Sequence, residues 1–352
     1  MRGRRSSSIQ PTRRTIVAAA LTLPFARPGR AASPKKPVVA TFGAMDLAYL
    51  PNIIAVEQGI AAANGLDLKL RITEGGPQSR TMVAAGEAQF QHGDTTLPLQ
   101  LSAKGIATKI LLSTEDIAPY ANLVVRQDLY AGGIDSIEKL ADWKRPDGSR
   151  PIVAVSTIGA GTWIWGTFLF EKIGKGDAIN FVAGGASFTL LAGLASKRFD
   201  AMMTAPDGVE EAQKNKWGHV VFDVTDTARW NSLIGGPVPA SSIYTLQSTI
   251  DSDPDMVKSY VRAMLQSLAW LKSASDDDVV KLVRTKYMPN LAAESIKYGI
   301  DFHRKTMNFS GRIDPEQFAR ASAVWFRKST GLKPTTYADA VDSRFLQAAS
   351  TK

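Results

Sequence analysis

The fold is decided by the stretch LKLRITEGGPQSRTMVAAGEAQFQHGDTT at residues 68–96, which recurs in outline as INFVAGGASFTLLAGLASKRFDAMMTAPD at residues 179–207. Each copy begins with a β-rich run, passes through a Gly-Gly pair, continues in a helical pattern and ends in a short strand followed by Thr. The glycine pairs are 109 residues apart, as Gly75 and Gly184 mark. Coincidence is the alternative, since 28 glycines produce chance pairs, but strand, turn, helix and strand all keep this spacing.

Outward from these stretches, short β-rich runs alternate with helical patterns from Lys36 onward, which is typical of an α/β protein. A chain of 352 residues also exceeds the ~250–300 at which one core usually divides. We therefore expect two lobes facing across a cleft, each a mainly parallel sheet flanked by helices, with a C-terminal helical extension. Lobe 1 would comprise residues 33–121 and 247–352, and lobe 2 residues 122–246.

The extension after residue 247 has a helical pattern throughout. Asp253-Pro254 is a helix start, with a capping residue followed by proline at the first turn. Apolar residues then recur at helical spacing between Val257 and Leu271, and Asp314-Pro315 repeats the start signal. We expect this tail to pack on lobe 1; docking of a partner helix is the rarer alternative.

The N-terminal residues 1–32 have the order of an export signal. Five Arg come first, then the apolar run 16–26, then small residues ending at Ala32 with two more Arg among them, and the segment contains no acid. The apolar run is too short to span a bilayer. Arg13-Arg14 resembles the twin-arginine signature, so we expect a twin-arginine-type signal peptide and a periplasmic location. A disordered basic tail is the alternative.

The charge does not favour nucleic acid as a partner. The formal net charge is +9, but the seven Arg of the first 32 residues leave only 35 Lys and Arg against 33 Asp and Glu in the rest. A nearly neutral body has no strong field for phosphate, and no helix-turn-helix or finger pattern is present. The absence of Cys excludes disulfides and thiolate metal sites.

Groups for catalysis are few. His92, His219 and His303 lie far apart in sequence and have no zinc-ligand spacing. The glycine segment 159–166 matches neither a dinucleotide fingerprint nor a P-loop, and no nucleophile elbow occurs. We therefore expect a protein that is not an enzyme and that has neither cofactor nor metal. His92 is the one candidate base, although a core or surface role is more common.

The candidate ligand-binding residues lie where predicted strands end, because ligands of open α/β sheets bind beyond the carboxyl ends of the strands. They are Asp46, Leu47, Tyr49, Asp94, Thr95, Thr96, Thr157, Gly159, Gly161, Thr162, Trp163, Thr204 and Asp207. Each loop could also be an ordinary turn, since Asp, Gly and Thr favour turns. The acids suit a ligand with N–H donors, whereas the glycine-rich helix start at 159–162 suits an anion. Both readings stay open here.

Several segments resemble the solute-binding proteins of nitrate/taurine-type (NitT/TauT) ABC importers, a group that includes binders of thiamine pyrimidine precursors. They are Tyr49-Leu50-Pro51, Ala55–Ile60, Asn64–Leu68, Ala84–Phe90 and Ala192–Ala201. The resemblance runs from about Val38 to Lys333. Ala61 departs from it, since the family usually has Phe there.

The resemblance implies a periplasmic-binding-protein-like fold and a monomer that captures a small ligand and presents it to a membrane ABC permease. The implied ligands are a sulfonate, an aromatic acid or a pyrimidine-like molecule. The family's cleft loops map onto Asp46–Tyr49, Asp94–Thr96, Thr157–Trp163 and Thr204–Asp207. Two alternatives stay open: a pyrimidine-precursor enzyme of the same fold, whose cysteine cluster is missing here, and a sensor partner that binds the same ligand.

Overall fold

The computed structural model describes residue 3 and residues 35–350. The predicted signal peptide at 1–32, with its twin-arginine pair, lies outside the described residues apart from Gly3. Within the described residues no helix combines the length and the hydropathy that crossing a bilayer requires.

Within residues 35–350, ten strands form two separate five-stranded sheets. They are β1 (Lys36–Phe42), β2 (Leu66–Ile72), β3 (Phe90–Asp94), β4 (Thr108–Glu115), β5 (Asn122–Arg126), β6 (Ile152–Val155), β7 (Asn180–Ala183), β8 (Ala201–Thr204), β9 (Gly218–Phe222) and β10 (Ser241–Leu246). The first sheet has the order β2-β1-β3-β10-β4 and the second the order β7-β6-β8-β5-β9. We call each sheet, with the helices packed on it, lobe 1 and lobe 2.

Helices connect and cover the strands. They are α1 (Leu50–Glu57), α2 (Ile60–Ala63), α3 (Gly76–Ala84), α4 (Thr96–Ser102), α5 (Gln127–Ala131), α6 (Ile137–Asp142), α7 (Gly161–Lys172), α8 (Ser187–Ala195), α9 (Pro206–Lys214), α10 (Thr227–Ile234), α11 (Gln247–Ser252), α12 (Pro254–Ser273), α13 (Asp276–Val283), α14 (Ala293–Thr306), α15 (Pro315–Trp325), α16 (Tyr337–Ala340) and α17 (Arg344–Ser350). Short 3-10 helices occupy Leu47–Tyr49, Gly176–Ala178 and Lys328–Thr330.

Both sheets are mainly parallel, which confirms the predicted fold class. In the first sheet β1 pairs in parallel with β2 and β3, and β10 is antiparallel to both β3 and β4. The second sheet repeats this with β5 antiparallel to β8 and β9. Four strands of each sheet therefore point the same way, and their carboxyl ends share one edge.

The internal duplication is present, but its spacing differs from the prediction. Thr41 of β1 pairs with Gln91 of β3, and Ala154 of β6 pairs with Met202 of β8. Strands β3 and β8, which end the two copies, therefore correspond at an offset of 111 residues, the separation of Gln91 and Met202. Helices α3 and α8 begin at the same offset. The predicted offset of 109 is therefore wrong by two residues, and the two Gly-Gly pairs are not equivalent.

The long tail contacts both lobes rather than lobe 1 alone. The predicted stripe of α12 is buried and packs on α1 and α17. Helix α14 contacts α9 of lobe 2 as well as the 3-10 helix at Leu47–Tyr49, and α15 packs against α7 of lobe 2. Strand β10 lies in the first sheet, although its residues fall within the expected lobe 2 range 122–246. The exact lobe boundaries stay a prediction.

Candidate functional site

A cavity of about 50 Å³ lies between the two lobes. Its walls come from the loop after β1, the start of α9 and the segment that ends in α14. The lining residues are Met45, Asp46, Leu47, Pro206, Asp207, Glu210, Glu211, Met288, Leu291, Ser295, Gly299 and His303. Three of the predicted residues, Asp46, Leu47 and Asp207, are thus brought together from opposite lobes.

Asp46 reaches this cavity because it caps the 3-10 helix after β1. Its backbone is extended, and its Oδ1 accepts a hydrogen bond of 2.7 Å from the amide of Ala48. On the far side α14 comes so close that a Cβ on Gly299 would lie 2.4 Å from Leu47 Cδ1. A glycine at 299 therefore allows α14 to pack against the capped loop.

His303 is held between two carboxylates. Its Nδ1 lies 3.0 Å from Glu115 Oε1, and its Nε2 lies 3.5 Å from Asp46 Oδ1. Burial opposes a charge on the ring, but the hydrogen bonds and charges of Asp46 and Glu115 outweigh it and raise the pKa of His303 to about 10. The ring is therefore an imidazolium at neutral pH, with Nδ1 donating to Glu115 and Nε2 forming an ion pair with Asp46.

The carboxylates respond differently to this contact. Burial opposes the charge of Asp46, yet His303 holds the pKa of Asp46 below its ordinary value. Burial raises the pKa of Glu115 in spite of His303. Desolvation in the cleft and the charge of Asp46 raise the pKa of Asp207 to about 6, although its side chain stays open to solvent.

A second contact between the lobes involves Asp94 at the end of β3. Its Oδ2 accepts a 2.6 Å hydrogen bond from Tyr120 Oη, and its Oδ1 accepts one of 2.8 Å from the amide of Thr96. A Cβ added to Gly161, the first residue of α7, would lie 2.6 Å from Asp94 Oδ2. Gln100 Nε2 also donates to the carbonyl of Gly159 at 3.1 Å.

This second contact bears on the predicted anion site. The N-terminus of α7 carries the partial positive charge of the helix dipole. The carboxyl group of Asp94 from lobe 1 lies beside this N-terminus, so an anion bound there would meet a side chain of the protein. Burial raises the pKa of Asp94 above its ordinary value.

Four other predicted residues do not line this cavity. Tyr49 stacks on Phe42 with ring centroids 4.6 Å apart, and Thr162 Oγ1 accepts from the amide of Ser156 at 3.0 Å. Trp163 is partly buried against the core, and Thr157 is exposed.

Two threonines at the strand ends are less well satisfied. Thr95 Oγ1 and Thr204 Oγ1 are buried, and neither has a hydrogen-bond partner among the described residues. That these predicted residues contact ligand stays a prediction.

His92 belongs to a buried hydrogen-bond chain. Tyr260 Oη donates to Asn52 Oδ1 at 2.5 Å, the Asn52 amide nitrogen lies 3.0 Å from His92 Nδ1, and His92 Nε2 lies 2.6 Å from Thr114 Oγ1. Because Asn52 donates to Nδ1, the proton of the ring is on Nε2. Burial lowers the pKa of His92 to about 3. This neutral histidine is a core residue, as the sequence favoured.

Sequence reasoning missed several residues of the site. His303, Met288 and Leu291 belong to the tail, and Tyr120 lies in the connection between β4 and β5. Within the described residues, no group of three or more His, Asp or Glu side chains has the geometry to hold a metal ion.

Comparison with known proteins shows the fold. No protein-family model matches the chain, and no curated protein matches it in sequence. A solved structure from Bordetella bronchiseptica RB50 is 22% identical, with a TM-score of 0.75, covering 90% of this chain and 97% of that one. The alkanesulfonate-binding protein SsuA from Xanthomonas axonopodis pv. citri, bound to MOPS, is 11% identical with a TM-score of 0.67, covering 89% and 100%.

The periplasmic nitrate-binding protein NrtA from Synechocystis PCC 6803 is 15% identical, with a TM-score of 0.65 and coverage of 90% and 88%. The desulfurization enzyme DSZB also has this fold, at 16% identity and a TM-score of 0.62, with coverage of 90% and 99%. The chain therefore has the periplasmic binding protein fold, as the resemblance implied, and this fold also occurs in an enzyme.

Proposed function

We propose that this protein is the solute-binding component of an ABC importer and captures a small organic ligand in the cleft between its lobes. The observation that carries the proposal is the cavity whose walls come from both lobes, with Asp46 on one side and Asp207 on the other. A ligand there contacts both lobes only when they are closed, so binding favours the closed state. The names of the sulfonate-binding and nitrate-binding neighbours support this function.

The proposal includes location and partner. Export to the periplasm by the twin-arginine route would follow from the signal at residues 1–32, and the closed form would dock as a monomer on a membrane permease. Fusion of residues 1–32 to a reporter that is active only after export tests the route. Loss of export on replacing Arg13-Arg14 with Lys-Lys is the expected result.

The binding function is tested with the ligand-free protein by thermal unfolding and small-angle scattering. Sulfonates, nitrate, aromatic acids, amines and pyrimidines form the panel. At least one compound should raise Tm and lower the radius of gyration, because closure joins the lobes. A panel in which no compound changes either quantity, with no small molecule retained on purification, would contradict the proposal.

The enzyme alternative is favoured by one observation, the similarity to DSZB. Against it, His92 is neutral, buried and engaged at both ring nitrogens, so it cannot accept a proton from a ligand without breaking that chain. We therefore propose binding without turnover. If mass spectrometry detects conversion of a bound compound by the wild type but not by His92→Gln, the enzyme alternative is supported.

A further inference from the structure

We infer that the ligand is a small organic cation whose ammonium or amidinium group lies between Asp46 of lobe 1 and Asp207 of lobe 2. The inference rests on the proposed function and names its ligand class. It follows from the charges that line the cavity, from the acidic side chains beside the competing helix N-termini and from the apolar part of the walls.

The lining of the cavity is strongly acidic. Asp46, Asp207, Glu210 and Glu211 contribute four carboxylates, and His303 is the only basic side chain among the lining residues. Behind His303, Glu115 is fully buried and its Oε2 has no hydrogen-bond partner among the described residues. The imidazolium lies between Asp46 and Glu115, so these three groups together carry no net positive charge that would attract an anionic ligand.

The helix termini at the cleft do not restore an anion site. The N-terminus of α7 faces the carboxylate of Asp94, as described above. The N-terminus of α9 carries Asp207 in its own first turn, which complements the dipole of that helix. An anion at either position would meet a protein carboxylate.

In the closed arrangement Asp46 and Asp207 line one cavity, which favours a positive charge between them. Asp46 and Asp207 come from opposite lobes, and the charge of Asp46 contributes to the raised pKa of Asp207. Like charges that approach in a partly desolvated cleft repel each other. A cation bound between them removes this repulsion, so it couples ligand binding to closure.

The remaining walls indicate an organic cation. Met45, Leu47, Met288 and Leu291 supply apolar surface beside the acids. At about 50 Å³ the cavity holds a charged group and a short stem, since a single water needs roughly 10–15 Å³ of such volume. The rest of the ligand would extend along the cleft.

The experiment compares cations with anions of matched shape by calorimetry and thermal shift on the mature chain. Butylammonium is paired with butane-1-sulfonate, and benzamidinium with benzoate. We expect saturable binding and a raised Tm for at least one cation and for neither anion. Binding of an anion without binding of its matched cation overturns the inference and leaves the solute-binding function standing. Binding of neither class in these pairs or in the wider panel overturns both.

Variants then locate the site. Asp207→Asn should weaken affinity for the bound cation at least tenfold, and Glu87→Gln, an exposed carboxylate outside the cavity, should leave it unchanged. Glu210→Gln is the second variant, in case Asp207→Asn does not fold. Wild-type affinity in both cavity variants overturns the assignment.

Discussion

At the scale of single residues, two buried histidines have opposite protonation states for identifiable reasons. His303 lies between two carboxylates and is charged, whereas His92 lies among neutral partners and is not. Both are almost fully buried, so burial alone does not determine the charge. The nature of the partners does.

His303→Gln should destabilise the protein, because Glu115 then stays buried without a counter-ion. We expect a loss of about 3–5 kcal/mol in the free energy of unfolding at pH 7, measured by urea denaturation. Lys305→Gln on the same helix is the control, since its ion pair with Asp301 is exposed and is worth at most about 1 kcal/mol.

The difference in unfolding free energy between wild type and His303→Gln should depend on pH. The pKa of His303 is raised from 6.5 to about 10, so its stabilisation is complete below pH 6.5 and is lost as the pH rises towards 10. The stability difference between wild type and His303→Gln should shrink across this range. A difference that stays constant from pH 7 to pH 10 would mean that the ring is not charged.

His92 predicts the opposite trend on the acid side. Its pKa is lowered from 6.5 to about 3, so the unfolded chain binds a proton below pH 6.5 that the native chain does not. Wild type should therefore lose up to about 2 kcal/mol between pH 6.5 and pH 5 relative to His92→Gln. Parallel unfolding curves for the two proteins over this range would refute the neutral assignment.

The residues of the site differ in how far the sequence could predict them. Asp46 and Asp207 follow predicted strands, and the rule that ligands bind at the carboxyl ends of strands was enough to select them. His303 contacts Glu115 across 188 residues of chain, from a helix whose position no local pattern specifies. Periodicity describes which face of a helix is apolar but not which loop that helix meets.

At the scale of helices and strands, the start of α7 lies where the two lobes meet. Gly161→Ala should hold the lobes apart, because the added methyl would meet both Asp94 Oδ2 and Tyr120 at 2.6 Å. We expect ligand affinity to fall at least tenfold while Tm without ligand changes by only a few degrees. Gly132→Ala, on an exposed helix end at the opposite edge of lobe 2, is the control.

Small-angle scattering shows whether Gly161→Ala weakens binding by preventing closure or by removing a direct contact with the ligand. The radius of gyration of Gly161→Ala should stay at its open value when ligand is added. Closure equal to that of the wild type would contradict the assigned role of Gly161.

The attachment of α15 to lobe 2 depends on Arg327. Its guanidinium contacts Glu171 and donates to the carbonyl of Ile164 at 2.6 Å, and its side chain is 11% exposed. Arg327→Ala should cost about 2–4 kcal/mol in chemical denaturation, since it removes charged hydrogen bonds from a largely buried site. Arg312→Ala, whose pair with Asp314 is exposed, should cost less than about 1 kcal/mol.

The spacing of the duplication shows why element order was easier to predict than register. Strand, helix and strand follow from hydrophobic pattern, and both copies have them. The glycine pairs predicted the wrong offset because Gly75 has an extended backbone that any residue can adopt. Ala186 is the residue before α8 that corresponds to Gly75 before α3. A shared glycine fixes register only where the turn requires one.

At the scale of the whole molecule, two separate sheets follow from the sequence, but the path of the tail does not. Apolar residues recur at helical spacing in α12 and, as Phe318, Ala321 and Trp325, in α15, and each set predicts a buried face. Such a stripe fits any complementary surface, so it could not assign α15 to lobe 2. In the structure the tail packs on both lobes, through α12 on lobe 1 and α15 on lobe 2.

The position of β10 has a consequence for synthesis on the ribosome. This strand lies between β3 and β4, so the first sheet stays split, with both inner edges open, until residue 246 has emerged. All five strands of the second sheet have been made by then. The lobe begun second is thus the first that can be completed, and until then the nascent chain exposes unpaired edges of the kind that chaperones shield.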